Sequence, residues 1–122
     1  MSKSSNKSET GRFGEDEAAL FLQNKGYGIL HRNWRCGKDE LDIVALHEEI
    51  LVIIEVKTRT GTAFGEPWES VDERKQQAIE RAALAYLEEF SIDREMRFDI
   101  ISIIVSPDKD VWIDHIENAF IP

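Results

Sequence analysis

The chain has 122 residues, 32% charged and 42% hydrophobic, with a formal net charge of −9. That size and apolar content suffice for one buried core and exclude a disordered chain. The single cysteine, Cys36, and three scattered histidines, His31, His47 and His115, exclude an internal disulfide and any zinc-type ligand spacing.

The acidic excess argues against a protein that coats nucleic acid by bulk electrostatics. It is uneven, however: residues 1–40 hold seven Lys/Arg against six Asp/Glu, and residues 41–122 hold eight against eighteen. Local patches decide where a phosphate backbone docks. Arg32, Arg35, Lys38, Arg59 and Lys75 are therefore retained as candidate nucleic-acid contacts.

Residues 1–10 are mostly Ser, Lys and Asn and read as a flexible tail ahead of a single domain over 11–122. No hydrophobic segment suggests a signal peptide, and no apolar run approaches the ~20 residues of a membrane span, so a cytoplasmic protein without membrane contact is expected. From about Gly11 to Lys25 the pattern is helical, with Glu15, Asp16 and Glu17 in the early turns and Gly26 at the end. Tyr27 to Trp34 reads as a strand, and Gly37-Lys38-Asp39 as a turn. Cys36 is expected to be a structural thiol, and the histidines carry no evident chemistry.

Glu40 to Leu46 and Ile50 to Arg59 are β-rich stretches separated by His47-Glu48-Glu49, which predicts a hairpin although its turn lacks glycine. Residues 60–68 carry two glycines and a proline and predict a loop, in which two exposed aromatics, Phe64 and Trp68, would be unusual. Ser70 and Glu73 form a capping-box pattern ahead of a helix running to about Glu89. Strands follow over Arg97–Val105 and Val111–Ile116. Helix, three strands, helix and two strands suit an α/β fold, a mixed central sheet flanked by helices.

Side chains alternate along a strand, so Glu55 and Lys57 share one face while Val52, Ile54 and Val56 share the other. If the hairpin closes on Glu48-Glu49, His47 pairs with Ile50 and Asp42 falls opposite Glu55; a four-residue loop keeps this register and a three-residue loop breaks it. Carboxylates about 5 Å apart repel by roughly 3 kcal/mol at an effective dielectric of 20. A hard divalent cation would offset that, since Mg²⁺ is held by one or two carboxylates plus water and substrate phosphate. The spacing also admits a bland alternative, a solvated sheet face on which these acids pair with Lys57 and Arg59. The unbroken run Ile50-Leu51-Val52-Ile53-Ile54 weighs against it, because it implies burial on both faces.

Asp42 followed by Glu55-Val56-Lys57 resembles the motif of the PD-(D/E)xK, or restriction-endonuclease-like, superfamily. Gly14-Glu15, Asn33, Glu40-Leu41-Asp42-Ile43-Val44-Ala45, Phe64-Gly65, Lys75-Gln76 and Asn118-Ala119-Phe120 extend the likeness to the bacterial YraN-like family over essentially residues 11–120. That family is similar to archaeal Holliday-junction resolvases. The resemblance implies an αβββαβ core, a Mg²⁺ (or Mn²⁺) ion on Asp42 and Glu55, Lys57 as catalytic lysine, Glu15 as an accessory acid and Gln76 as a further contact to phosphate or water. It implies DNA, branched or damaged, as substrate and, by analogy with dimeric resolvases, a homodimer. One departure is Asp39, which stands where the family usually has glycine and would add negative charge near the metal. A non-cleaving nucleic-acid binder and a protein-interaction module remain alternatives to the nuclease.

Overall fold

The structure is a computed structural model that describes residues 7–61, 63 and 65–121. Phe64 and residues 1–6, which make up most of the expected tail, lie outside the described residues. Helix α1 spans Glu9–Asn24, two residues longer at its start than expected, because the Ser8 hydroxyl accepts the Gly11 N–H at 3.0 Å and caps the helix. It ends at Lys25, and Gly26 follows at φ +92°, a conformation suited to glycine.

Three strands follow: β1 (Gly28–Cys36), β2 (Asp39–His47) and β3 (Ile50–Arg59). A short 3₁₀ turn over Pro67–Ser70 leads into α2 (Glu73–Glu89), and β4 (Met96–Val105) and β5 (Val111–Phe120) complete the fold. The expected Ser70 cap is corrected: Asp72 caps α2 by accepting the Lys75 N–H at 2.9 Å, while Ser70 donates to the Pro67 carbonyl and Glu66 and Glu69 form the reciprocal box one turn earlier. Two capping patterns overlap here, and the acid adjacent to the first helical residue wins the cap position.

The five strands form one mixed sheet in chain order. β3 and β4 are parallel and joined through α2, as a crossover requires; the other neighbours are antiparallel. The β2–β3 hairpin closes on Glu48 and Glu49 at φ +51° and +70°, a two-residue turn with both residues left-handed and no glycine to ease it. The paired register from His47↔Ile50 to Ile43↔Ile54 is the one anticipated.

Each sheet face buries a core. Ala18 and Leu22 of α1 pack on Ile43, Val52, Ile54 and Ile101, and Ile79, Ala83 and Tyr86 of α2 pack on Val44, Leu51, Ile53 and Phe98. At Asp42 the alternation of β2 breaks: Ile43 belongs to the α1 side, yet Leu41 belongs to the α2 side. Across from Asp42 on β1, Asn33 stands at φ +55°, a left-handed kink in the same row. Cys36 is exposed at the end of β1, so it is not the structural thiol expected; the strand outlasts its buried part. Among the described residues no helix is long and apolar enough to cross a membrane.

Candidate metal centre

The break in β2 turns Asp42 toward β3. The recorded ladder ends at Ile43↔Ile54, and beyond it the Asp42 carboxylate replaces a backbone acceptor by taking the Val56 N–H at 2.9 Å. Glu55 lies in hydrogen-bond contact with Asp42. Asp42 is 6% exposed and Glu55 4%, which rules out the solvated sheet face. Burial and the neighbouring Asp42 charge push the Glu55 carboxyl up to about 8, although Lys75 and Lys57 pull the other way. Lys75 Nζ and Lys57 Nζ stand 3.5 and 3.7 Å from Glu55 Oε2.

A second group of acids approaches from α1. Gly14 lets the helix lie against β3, since a Cβ there would sit 2.0 Å from Thr58 Oγ1. That contact lowers Glu15, 2% exposed, toward β1, where Oε1 accepts from Arg32 Nη2 at 2.9 Å and Asn33 Nδ2 at 2.8 Å. Lys7 fills the space between. Its Nζ lies 2.8 Å from Asn33 Oδ1, 3.2 Å from Asp42 Oδ1, 3.3 Å from Glu40 Oε1 and 3.6 Å from Glu15 Oε2. Burial opposes the charge on Lys7, but the Asp42, Glu15 and Glu40 carboxylates outweigh it and hold its pKa above the ordinary value. Lys7 fell within the segment read as a tail, so its place here had no sequence signal.

These groups line a cleft of about 320 Å³ that holds Lys7, Glu40, Asp42, Glu55, Lys57 and Lys75 together, with Arg59 also in its lining. Of the remaining candidates, Arg32 pairs with Glu15 and Asp16 beside the cleft. Arg35 and Lys38 line an adjoining cleft with Lys75. Gln76 does not line the site: its amide donates to the Val71 carbonyl at 3.1 Å and steadies the entry to α2. Asp39 turns to Arg81, 3.3 Å away, so its charge is compensated outside the acidic cluster.

The donors suit a hard divalent ion. Asp42 and Glu55 offer two buried carboxylates whose repulsion a cation would relieve, and Glu15 Oε2 and Glu40 Oε2 are buried without a hydrogen-bond partner. Among the described residues no group of three or more His, Cys, Asp or Glu is placed to hold a metal ion together, so the protein would contribute two carboxylates at most. An ion here would keep positions for water and a substrate oxygen.

A second buried cluster lies on the α1 face of β4 and β5. Asp99, wholly buried, accepts from Arg97 Nε and Nη2 at 2.9 Å, His115 Nε2 at 2.7 Å and the Asn118 N–H at 2.9 Å. Burial would raise its pKa, but these donors hold it below the ordinary carboxylate value. Lys25 Nζ reaches His115 Nδ1 at 2.8 Å, tying in the end of α1. A cavity of about 690 Å³ lies at the opposite end of β3, lined by Glu48, Glu49, Asp93 and Glu95 with Arg94, where the acidic excess would repel a polyanion.

A five-stranded mixed sheet between two helices, with two acids and a lysine meeting where β2 and β3 part, fits the restriction-endonuclease-like architecture. The chain belongs to the uncharacterised protein family UPF0102, the YraN family, whose profile matches residues 14–103. It is 51% identical to UPF0102 proteins of Phocaeicola vulgatus and of Bacteroides thetaiotaomicron, in each case over 93% of both chains. It is 42% identical to the UPF0102 protein TTE1452 of Caldanaerobacter subterraneus subsp. tengcongensis, over 97% of this chain and 99% of the relative.

Proposed function

We propose that this protein is a Mg²⁺- or Mn²⁺-dependent endonuclease that hydrolyses phosphodiester bonds in DNA. The observation that carries the reading is the buried Asp42–Glu55 pair, with Glu55 held up near 8, beside Lys57 at the mouth of a cleft. A pair of carboxylates this deeply buried is costly unless something compensates it.

Asp42 and Glu55 would hold the ion, with Glu15 as an accessory acid. A divalent ion supplies two things in such a site: it polarises a phosphoryl oxygen and lowers the pKa of bound water. The Val56 N–H fixes the Asp42 carboxylate and limits its rotation. Lys57, a quarter exposed on the rim, places its ammonium where negative charge develops on the phosphoryl group. Lys75 adds a second ammonium at the same carboxylate. Arg59, exposed in the lining of the same cleft, would meet a neighbouring phosphate. Branched or damaged DNA, a cytoplasmic setting and a homodimer belong to the same reading.

Incubation with branched and linear DNA in Mg²⁺ tests it. The reading requires cleavage by the native protein that Glu55→Ala protein lacks; equal turnover by the two, or none on any substrate, would sink it. The second reading is a nucleic-acid binder that does not cut, and Lys7 favours it, because an ammonium already compensates the acids that a metal would need. Salt-sensitive DNA binding without turnover would support that reading.

A further inference from the structure

We propose that Lys7 holds the place of a second metal ion, so that the candidate centre takes one divalent cation per chain. This rests on the metal-dependent reading of that centre and sets its stoichiometry.

Hydrolytic centres that use two ions hold them about 3.5–4 Å apart. A carboxylate between two such ions must serve a cation on each side, and Asp42 is divided in that way. Its Oδ2 takes the Val56 N–H of β3 at 2.9 Å, and the same side chain contacts Glu55. Its Oδ1 stands 3.2 Å from Lys7 Nζ. An ion shared with Glu55 would therefore meet an Asp42 that already faces one cation.

The surroundings of the Lys7 ammonium are those of a cation. Oxygens converge on it from α1, β1 and β2: Glu15 Oε2 at 3.6 Å, Asn33 Oδ1 at 2.8 Å and Glu40 Oε1 at 3.3 Å, besides Asp42. Asn33 is set for this by its left-handed backbone at φ +55° and by its Nδ2, which donates to Glu15 Oε1 at 2.8 Å. An ammonium donates hydrogen bonds and accepts none, which suits a cradle of acceptors. Mg²⁺ requires its oxygens at about 2.0–2.1 Å, so the spacing here is that of an ammonium.

Lys7 is also tethered, so a free ion would have to displace it. Its carbonyl accepts from Arg12 Nη1 at 2.7 Å. The next residue, Ser8, caps α1 with its hydroxyl and takes the Arg12 N–H on its carbonyl at 2.9 Å. The first turn of α1 thereby keeps the ammonium beside its partners, and a tethered group competes at a high effective concentration. Lys57 and Lys75 approach Glu55 instead, which leaves Glu40 and Asp42 to Lys7.

Stoichiometry in the absence of DNA tests the proposal. Calorimetric titration of Mn²⁺ into the native protein should give one ion per chain. The electron paramagnetic resonance spectrum of the saturated protein should be that of an isolated ion, since a second within ~4 Å would couple to it and broaden the signal. Lys7→Ala removes the charge and leaves room for the carboxylates to close on another ion, so its titration should give two. Two ions in the native protein, or still one in folded Lys7→Ala protein, would overturn the proposal and leave the nuclease reading standing. If the variant does not fold, the native stoichiometry and spectrum decide alone. No binding to the native protein would remove both readings.

Discussion

The Val56 N–H donates to Asp42 Oδ2 at 2.9 Å, so a side chain of β2 completes the hydrogen bonding of β3 beside Glu55. The bond has unequal consequences for two substitutions. Asp42→Asn keeps an acceptor for Val56 and loses only the charge opposite Lys7, so the metal-free protein should lose about 1 kcal/mol or less. Asp42→Ala strands the N–H as well and should lose about 1–3 kcal/mol more. Urea denaturation of both variants checks the difference; destabilisation of equal size in the two would contradict the assignment.

Glu55 gives the metal-free protein a defined pH dependence. Its folded pKa, about 8, lies above the unfolded value near 4.5, so the folded state binds the extra proton between them. Its contribution to stability is therefore full below about pH 4.5 and is lost as pH rises through 8. Melting temperatures in EDTA should fall across that window, and Glu55→Gln should flatten the decline. A native curve superimposable on that of the variant would show that Glu55 titrates normally.

Much of this centre could be read before the fold was known, and the limits of that reading are physical. Period-two alternation and the Glu48-Glu49 turn placed Asp42 beside Glu55, because local register extends along a short hairpin. The break in alternation at Asp42 was not legible, since period two assigns Leu41 and Ile43 to one face and the fold puts them on opposite faces. Lys7 was missed because a lysine in a polar stretch looks like any solvated residue. Asp99, the one acid from Phe98 to Val105, was passed over because the β-branched run around it reads simply as a strand. Its partners Arg97, His115 and Asn118 depend on the β4–β5 bulge, which period alone does not reveal.

Gly14 is a steric requirement. A methyl group there meets Thr58 Oγ1 at 2.0 Å and Thr58 Cβ at 2.9 Å, so Gly14→Ala should cost about 1–3 kcal/mol by forcing α1 off β3. Adding Thr58→Ala should recover only part of the loss, because the closer atom is removed and Cβ remains. Thermal denaturation of the single and double variants decides it; full recovery would mean that Cβ imposes no limit.

Lys7 and a divalent ion would compete for Asp42. Replacing Lys7 with Met removes an ammonium 3.2 Å from Oδ1. Mn²⁺ affinity should rise about three- to tenfold, the equivalent of roughly 1 kcal/mol. Calorimetry on the native and Lys7→Met proteins would reveal it, and unchanged or weaker affinity would mean that Lys7 organises the acids without blocking them.

The most direct test of the metal centre is titration of Mn²⁺ into native, Asp42→Asn and Glu55→Gln proteins, followed by calorimetry. The site described here requires saturable binding to the native protein and its loss in both variants. Absence of binding to the native protein, or binding that survives both substitutions, would contradict it.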